Sequence, residues 1–271
     1  MTDNVNDSGV RLTAAFPVVR YNRGSLENKD IELAREVPYT LFVNDREILS
    51  IATLPTGLME LFAGFLVSEG VLTDPGEILE FQVDHGSRLV RVELEVARER
   101  LEKLERKGML TSGCAGGLVF STQAENAPRK SRPDPLKVAC STILDRMREL
   151  DTYRGIYSIT RGVHAASVAD ASATLLILED LGRHNAVDKI VGHCFLSRID
   201  TSDKLLLTTG RITSEVLTKA ARSGFSLIVS RSSASALAVV MAEQSGIDVV
   251  TYVRAQRFNY FSHGACRLTE D

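Results

Sequence analysis

The feature that most constrains the fold is a regular alternation of short apolar runs with helical segments between residues 173 and 253. The runs are rich in Leu, Ile and Val, which is typical of strands buried on both faces of a sheet. Helices between such strands are the usual crossover connection of a parallel sheet. The pattern therefore predicts a parallel sheet with helices on both faces. Its elements are strand Ala173–Glu179, helix Arg183–Leu196, strand Leu205–Thr208, helix Ile212–Arg222, strand Ser226–Ser230, helix Ala234–Gln244 and strand Asp248–Val253.

The first half of the chain has a different pattern, in which strands flank one amphipathic helix. The helix is predicted to open at Pro55 and end at Gly70, with an apolar stripe at helical spacing between them. Asp134 and Pro135 predict the start of a later helix. Strands are predicted over Ala14–Tyr21, Val37–Val43, Glu47–Thr53 and Val90–Val96. We expect a smaller α+β region over 1–110, a mobile loop over 111–135 and a three-layer α/β/α domain over 136–271.

The bulk composition narrows the functional class. Of the 271 residues, 44% are hydrophobic and 25% charged, which is enough to build a substantial core. The formal net charge of −3 argues against a general nucleic-acid binder or a membrane-surface protein. No apolar run reaches the ~18 residues that span a bilayer, and the residues after Met1 do not resemble a secretory signal. We expect a cytoplasmic protein with neither nucleic-acid nor membrane partners.

One cysteine stands out because glycines surround it: Cys114 lies between Gly113 and the pair Gly116-Gly117. Glycines allow several backbone N–H groups to face one atom, and such an arrangement favours a reactive thiolate. The loop therefore predicts a nucleophilic sulfur. The alternative is that Cys114 is an inert residue packed in a glycine-rich turn.

The other cysteines and the histidines give weaker signals. Cys140 and Cys194 fall on apolar helix faces, which favours core packing, and Cys266 lies in a terminal tail. The four cysteines form no C-x-x-C pair, and the five histidines show no i, i+4 pairing. A protein-bound metal is therefore not expected.

Polar and basic residues follow each of the four predicted parallel strands. Ligands of such sheets bind beyond the carboxyl ends of the strands. Helix N-termini follow three of these exits and add backbone N–H donors, so the combined surface is predicted to bind phosphate or another anion. His184 lies at one of these helix starts, which favours a ligand contact for it. The arginines at the exits are Arg183, Arg211, Arg231, Arg254 and Arg257.

The alternative is that these arginines serve only to pair with nearby carboxylates. No Walker or dinucleotide-binding glycine motif follows a strand, so neither an ATPase nor a nicotinamide enzyme is supported. The carboxylates concerned are Glu179, Asp180, Asp188 and Glu215.

Five segments together resemble a known family. In chain order they are Leu54–Gly70, Thr111–Cys114, Arg161–Ala166, Glu179–Lys189 and Gly210–Glu215. They resemble the FdhD/NarQ family of formate dehydrogenase accessory sulfurtransferases, and they occur in family order between residues 54 and 215. The resemblance implies that the larger domain is similar to the cytidine deaminase-like fold, although the deaminase zinc motif is absent here.

The resemblance also implies a function. A family member takes sulfur from a cysteine desulfurase as a cysteine persulfide and transfers it to Mo-bis(molybdopterin guanine dinucleotide), before this cofactor enters formate dehydrogenase. Cys114 matches the persulfide-bearing cysteine. The residues with which the family contacts the guanine dinucleotide correspond to a stretch near the C-terminus of this chain. The position of Arg183, His184 and Arg211 after the predicted strands makes them further candidates for cofactor binding. The stretch is Tyr252, Val253, Arg254, Ala255, Gln256 and Arg257.

One departure from the family pattern bears on the mechanism. Many members carry C-x-x-C in the loop, whereas Gly117 stands at the second cysteine position here. A single-thiol route is therefore expected. Two other functions stay open: a cofactor-binding chaperone in which Cys114 is structural, and a nucleotide-processing enzyme on a deaminase-like scaffold. Homodimer formation is a further expectation that no residue specifies.

Overall fold

A computed structural model of the chain describes residues 5, 9–102, 104 and 134–270. The described helices are α1 (Leu58–Ser68), α2 (Cys140–Thr152), α3 (Ile156–Thr160), α4 (Arg183–Leu196), α5 (Ser214–Arg222) and α6 (Ala236–Ser245), with a 3-10 turn at Pro75–Glu77. The described strands are β1 (Thr13–Asn22), β2 (Ser25–Ala34), β3 (Val37–Val43), β4 (Arg46–Thr53), β5 (Ile78–Asp84), β6 (Leu89–Leu94), β7 (Leu136–Ala139), β8 (His164–Ala169), β9 (Thr174–Asp180), β10 (Leu205–Thr208), β11 (Leu227–Ser230), β12 (Asp248–Arg254), β13 (Arg257–Phe261) and β14 (Cys266–Thr269).

The main sheet has six strands in the order β13-β12-β11-β10-β8-β9. Strands β10, β11 and β12 are parallel, and β8 lies antiparallel between β9 and β10. The four strands predicted from apolar runs, β9 to β12, therefore all point the same way. The prediction of a wholly parallel sheet is nevertheless wrong, because β8 and the edge strand β13 run against them. Strand β8 escapes prediction because most of its residues are small, and a tight turn at Asp170 folds it directly onto β9.

The two faces of this sheet bury separate cores. On one face, Ala166, Leu206 and Ile228 pack with residues of α4, α5 and α6. On the other face, Leu207 and Val229 pack with α2 and with the β7–β14 strand pair. Each strand contributes alternate residues to the two cores, as the pleat requires. The mixed α/β class is confirmed, whereas the cytidine deaminase-like assignment stays a prediction.

A four-stranded sheet in the order β4-β3-β6-β5 precedes the main sheet in the chain, and α1 connects the two regions. Helix α1 crosses α4 at two glycines. A Cβ on Gly64 would lie 1.8 Å from the carbonyl oxygen of Asp188, and a Cβ on Gly192 would lie 1.9 Å from that of Glu60. The backbones therefore touch, and one hydrophobic core continues from β3 through α1 into α4. The division at 1–110, 111–135 and 136–271 stays a prediction.

Several element boundaries differ from the predictions. The helix expected at Pro135 begins at Cys140, because the preceding residues form β7 and pair with β14 at the far end of the chain. Helix α1 begins at Leu58 rather than Pro55, after Gly57 takes a left-handed conformation with φ 61°. Cys266 lies in β14 and is 5% exposed, so the expectation of a terminal tail is wrong.

Candidate functional site

The carboxyl ends of β9, β10, β11 and β12 meet at one edge of the main sheet, together with the start of antiparallel β8. We call this the strand-exit edge; it comprises residues 164, 180–184, 208–211, 230–233, 254 and 257. Hydrogen bonds fasten neighbouring exits to each other. The Ser230 hydroxyl donates to the Gly210 carbonyl at 2.6 Å, and the Tyr252 amide donates to the Ser232 carbonyl at 2.8 Å. The exit loops therefore form one fixed surface.

The arginines differ in how they are held. Arg211, Arg254 and Arg257 are exposed, and no carboxylate of the described residues forms an ion pair with them. Arg231 is half-buried, and its Nη1 lies 3.0 Å from Asp151 Oδ1 at the end of α2. Burial raises the pKa of Asp151, whereas the charges of Arg231 and Arg254 oppose that rise. Asp151 therefore pairs with Arg231, and the charge of Arg254 acts on its carboxylate without an ion pair.

Arg183 reaches across from the β9 exit to the β10 exit. A Cβ on Gly210 would lie 2.6 Å from the Arg183 Cβ, so only glycine leaves room for this approach. The Arg183 Nε atom is buried and has no hydrogen-bond partner among the described residues. A buried guanidinium N–H without an acceptor is costly, and a bound anion would supply the missing acceptor.

Two histidines lie beside Arg183. His164 Nδ1 is 3.4 Å from the Thr209 hydroxyl, and His184 Nε2 is 3.3 Å from the Thr213 hydroxyl. Burial and then the charge of Arg183 lower the pKa of His164. Burial also lowers the pKa of His184 to about 4, against the opposing charge of Glu215. Both imidazoles are therefore neutral near pH 7, and each can donate or accept one hydrogen bond.

The carboxylates proposed as alternative partners of the arginines have other partners. Asp180 lies 2.6 Å from Lys189 Nζ and accepts hydrogen bonds from Thr53 and Asn185. Asp188 lies 2.7 Å from Lys219 Nζ. These pairs are buried. The lysines thus neutralise the carboxylates, and the arginines of the strand-exit edge keep their capacity for another anion.

The two carboxylates nearest these pairs are held differently. Both oxygens of Glu179 accept backbone N–H groups of α3, from Ile156 at 2.6 Å and Tyr157 at 3.0 Å. Glu215 lies 3.6 Å from His184 Nε2 and 4.0 Å from Lys219 Nζ. Neither forms an ion pair with an arginine in the part of the chain that the structure describes.

The predicted contact stretch forms the tight connection between β12 and β13. Tyr252 and Ala255 adopt left-handed φ values of 54° and 52°, which bend the chain beside Arg254. Tyr252 is 48% exposed, and Ala255 and Gln256 are exposed as well. Val253 is 2% exposed and packs in the core, so only its backbone can contact a ligand. The stretch offers an aromatic ring and two guanidinium groups to the solvent.

The prediction of a reactive Cys114 falls on residues that the structure does not describe. Cys114 lies outside the described residues, as does most of the predicted loop over 111–135. Cys194 is buried as predicted, and burial raises the pKa of its thiol to about 12, which makes it unreactive. Among the described residues, no group of His, Cys, Asp and Glu side chains could hold a metal ion. No described helix is long and apolar enough to cross a membrane.

Sequence reasoning missed two participants at this edge. Asp151 lies at the end of α2, far in sequence from Arg231, and only the packing of α2 over the sheet brings the two together. Thr209 contacts His164 because the unpredicted strand β8 pairs with β10. No local pattern carries either contact.

Comparisons with known proteins agree over nearly the whole chain. The model of the FdhD/NarQ family matches residues 34–268. The chain is 35% identical over 253 residues to the sulfur carrier protein FdhD of Bacillus subtilis (strain 168), covering 93% of this chain and 97% of that protein. It is 34% identical over 247 residues to the protein of the same name from Staphylococcus aureus (strain Newman), covering 91% and 93%. The crystal structure of a formate dehydrogenase accessory protein from Desulfotalea psychrophila matches with a TM-score of 0.75 and 28% identity, covering 93% of this chain and 97% of that one. The chain belongs to the FdhD/NarQ family.

Proposed function

We propose that this protein is a sulfurtransferase that carries sulfur for the maturation of formate dehydrogenase. Its relatives are named sulfur carrier protein FdhD, and a similar solved structure is that of a formate dehydrogenase accessory protein. In this proposal Cys114 carries the sulfur as a persulfide, a cysteine desulfurase supplies it, and Mo-bis(molybdopterin guanine dinucleotide) receives it. The cofactor is cargo here, and formate dehydrogenase is its destination.

The observation that carries the proposal is the set of unpaired guanidinium groups at the strand-exit edge. Arg211, Arg254 and Arg257 are exposed without a carboxylate partner among the described residues, and the buried Arg183 Nε lacks an acceptor there. Guanidinium groups bind diphosphates through paired charged hydrogen bonds. The exposed Tyr252 ring offers a stacking surface for a guanine base. The donor set therefore fits a guanine nucleotide bearing a diphosphate.

The sulfur is proposed to move in two steps, first to Cys114 and then to the cofactor. The Cys114 thiolate attacks the outer sulfur of the desulfurase persulfide; a new S–S bond forms, the donor's S–S bond breaks, and the donor cysteine leaves as a thiolate. For delivery, an external thiolate attacks the inner sulfur of the Cys114 persulfide, so that hydrosulfide leaves for the cofactor and a mixed disulfide remains. A second external thiol then releases Cys114. Because Gly117 replaces the second loop cysteine, neither thiol comes from that position.

The first prediction concerns cargo binding. Replacing Arg254 and Arg257 together by Gln should weaken GDP binding by about a hundredfold or more, because each lost charged hydrogen bond costs about 1.5–3 kcal/mol. Isothermal titration of the full chain measures this. The matched control is Arg98→Gln, an exposed arginine of the N-terminal region that pairs with Glu102. Wild-type affinity in the double variant would refute the assignment of this edge.

The variant Cys114→Ala distinguishes a sulfur carrier from a cofactor-binding chaperone. Cys114→Ala should keep GDP binding and lose support of formate dehydrogenase activity in cells that lack the native protein. A chaperone with a structural Cys114 would retain both. Turnover of free guanine nucleotides by the wild type would instead support a nucleotide-processing enzyme.

A further inference from the structure

We propose a second ligand site in this protein, for a small organic anion with an apolar body, in a cavity beside β9. The cavity has a volume of about 300 Å³. This lies at the lower end of the ~300–1,000 Å³ range of small-molecule sites. Five parts of the chain line it: Leu12, the loop before α1, the segment from Tyr153 to Ile159, strand β9, and Lys189 of α4. The inference does not depend on the sulfur-carrier proposal.

The cavity is separate from Arg254 and Arg257, whereas Arg183 follows β9 directly. Strand β9 forms one edge of that sheet, and four strand spacings separate it from β12, which ends at Arg254. At ~4.8 Å per spacing the two strands lie about 19 Å apart. A GDP-sized ligand bound at Arg254 and Arg257 therefore leaves this cavity open.

The lining provides an apolar surface for the body of the ligand. Leu54 and Ile156 are 0% and 7% exposed and belong to a small core of their own. Ile177 adds a partly buried side chain from β9, and Ile159 contributes a side chain that is 41% exposed. A ligand of this shape would remove the exposed part of Ile159 from water, which is favourable in proportion to the area covered.

Lys189 supplies an ammonium donor at the wall of the cavity, while Asp180 neutralises its charge. Its side chain is 1% exposed, and Nζ contacts Asp180 Oδ2 at 2.6 Å and the Glu179 carbonyl oxygen at 3.1 Å. An ammonium group has three N–H donors. The third donor of Lys189 therefore has no acceptor among the described residues, and the residue lines the cavity.

The other polar groups of the lining are also donors. Arg154 is exposed, and the described residues provide no hydrogen-bond partner for its guanidinium group or for the Tyr153 hydroxyl. Burial and then the charge of Glu179 raise the pKa of Tyr153, so the phenol stays protonated. The Glu179 carboxylate already accepts two backbone N–H groups of α3. Lys189, Arg154 and Tyr153 thus offer side-chain donors, whereas the one lining carboxylate already accepts two hydrogen bonds, which favours an anionic ligand.

Five cavity residues belong to the segments that the sequence singles out: Leu54, Thr56, Gly57, Glu179 and Lys189. The anion surface formed by the exit arginines leaves their role unexplained. Asp180 and Lys189 neutralise each other in the interior, yet a hydrophobic pair would fill that volume at lower desolvation cost. A ligand that accepts a hydrogen bond from the third Lys189 donor would account for the presence of a buried charge at this position.

Benzoate tests the inference, with benzamide as its uncharged match in shape. We expect saturable benzoate binding to the full chain, followed by protein-observed NMR or calorimetry, and at least tenfold weaker binding of benzamide. Arg154→Gln should weaken benzoate binding by about tenfold for the same reason, and Ile159→Trp should block the cavity. Arg161→Gln, one residue beyond the end of α3 and outside the lining, should bind like the wild type.

Four results would overturn the inference: three from the benzoate measurements and one from competition with GDP. The first three are the absence of saturable benzoate binding, equal binding of benzamide, and unchanged affinity in both Arg154→Gln and Ile159→Trp. Displacement of benzoate by GDP would show one shared site and would also refute it. Because both altered residues are exposed, circular dichroism should show native folding of the variants. None of these outcomes bears on whether Cys114 accepts sulfur.

Discussion

At the scale of single residues, the N-terminal region is fastened by one guanidinium–carboxylate pair. Arg100 Nη2 lies 2.7 Å from Glu77 Oε1, and Arg100 Nη1 also donates to the Val71 carbonyl at 2.9 Å. Glu77 accepts further hydrogen bonds from the amide and hydroxyl of Thr73. Burial alone would raise the pKa of Glu77, but these hydrogen bonds outweigh it and lower the pKa to about 2. The ionised form is therefore the one that the fold stabilises.

This shift predicts a pH-dependent stability. Glu77 has an ordinary pKa of 4.5, so its contribution is fully present above that pH and is lost as the pH falls toward about 2. At pH 7, Glu77→Gln should lower the free energy of unfolding by about 1–2 kcal/mol. The wild type and the variant should converge as the pH falls from 4.5 to 2, as measured by urea denaturation at each pH.

The matched control is Glu102→Gln, which removes an exposed pair with Arg98. It should change the stability by less than about 0.5 kcal/mol at any pH. A constant difference between wild type and Glu77→Gln across the acid range would contradict the assignment of Glu77.

At the scale of elements, the contact between α1 and α4 joins the two regions of the chain. A Cβ on Gly64 would lie 1.8 Å from a backbone oxygen, which a side-chain rearrangement cannot relieve. Gly64→Ala should therefore cost about 3 kcal/mol or more, because the helices must separate. Thermal denaturation measures it. Gly162→Ala, where the nearest atom is 3.7 Å from the added Cβ, should have little effect. Equal stability of the two variants would show that α1 and α4 do not touch in solution.

The elements also show what a sequence can predict. Helix α4 and strand β10 have the predicted bounds, because their apolar patterns are local and glycine or polar residues end them. Strands β7 and β8 were not predicted, since β7 is defined by pairing with β14 and β8 by pairing with β9 and β10. Such partners lie far apart in sequence or carry no alternation. Local patterns therefore predict strands with a clear apolar run or alternation, such as β3 and β10, but miss strands that only their pairing defines.

The features of the candidate site also fall into those that the sequence predicts and those that it does not. The arginines at the strand exits could be placed on one edge from sequence, because parallel strands put their carboxyl ends together. The Asp151 pair with Arg231 and the buried Nε of Arg183 could not, because both depend on how α2 and Gly210 pack. Sequence thus predicts where the positive charge collects, whereas the packing decides which arginines have partners.

At the scale of the whole molecule, the proposed function needs two separate properties. The main sheet provides a fixed surface of arginines for the proposed cofactor, and Cys114 must bring sulfur to that bound cofactor. Cys194 is excluded as a carrier, because its buried thiol has a pKa raised to about 12. The central claim is therefore that sulfur resides on Cys114.

Intact mass spectrometry tests this claim most directly. Wild type, Cys114→Ala and the control Cys140→Ala are incubated with a cysteine desulfurase and cysteine without added reductant. We predict one added sulfur atom on wild type and on Cys140→Ala, its removal by a mild thiol, and no adduct on Cys114→Ala. An adduct that persists in Cys114→Ala, or its absence from the wild type, would contradict the role of Cys114 as the sulfur carrier.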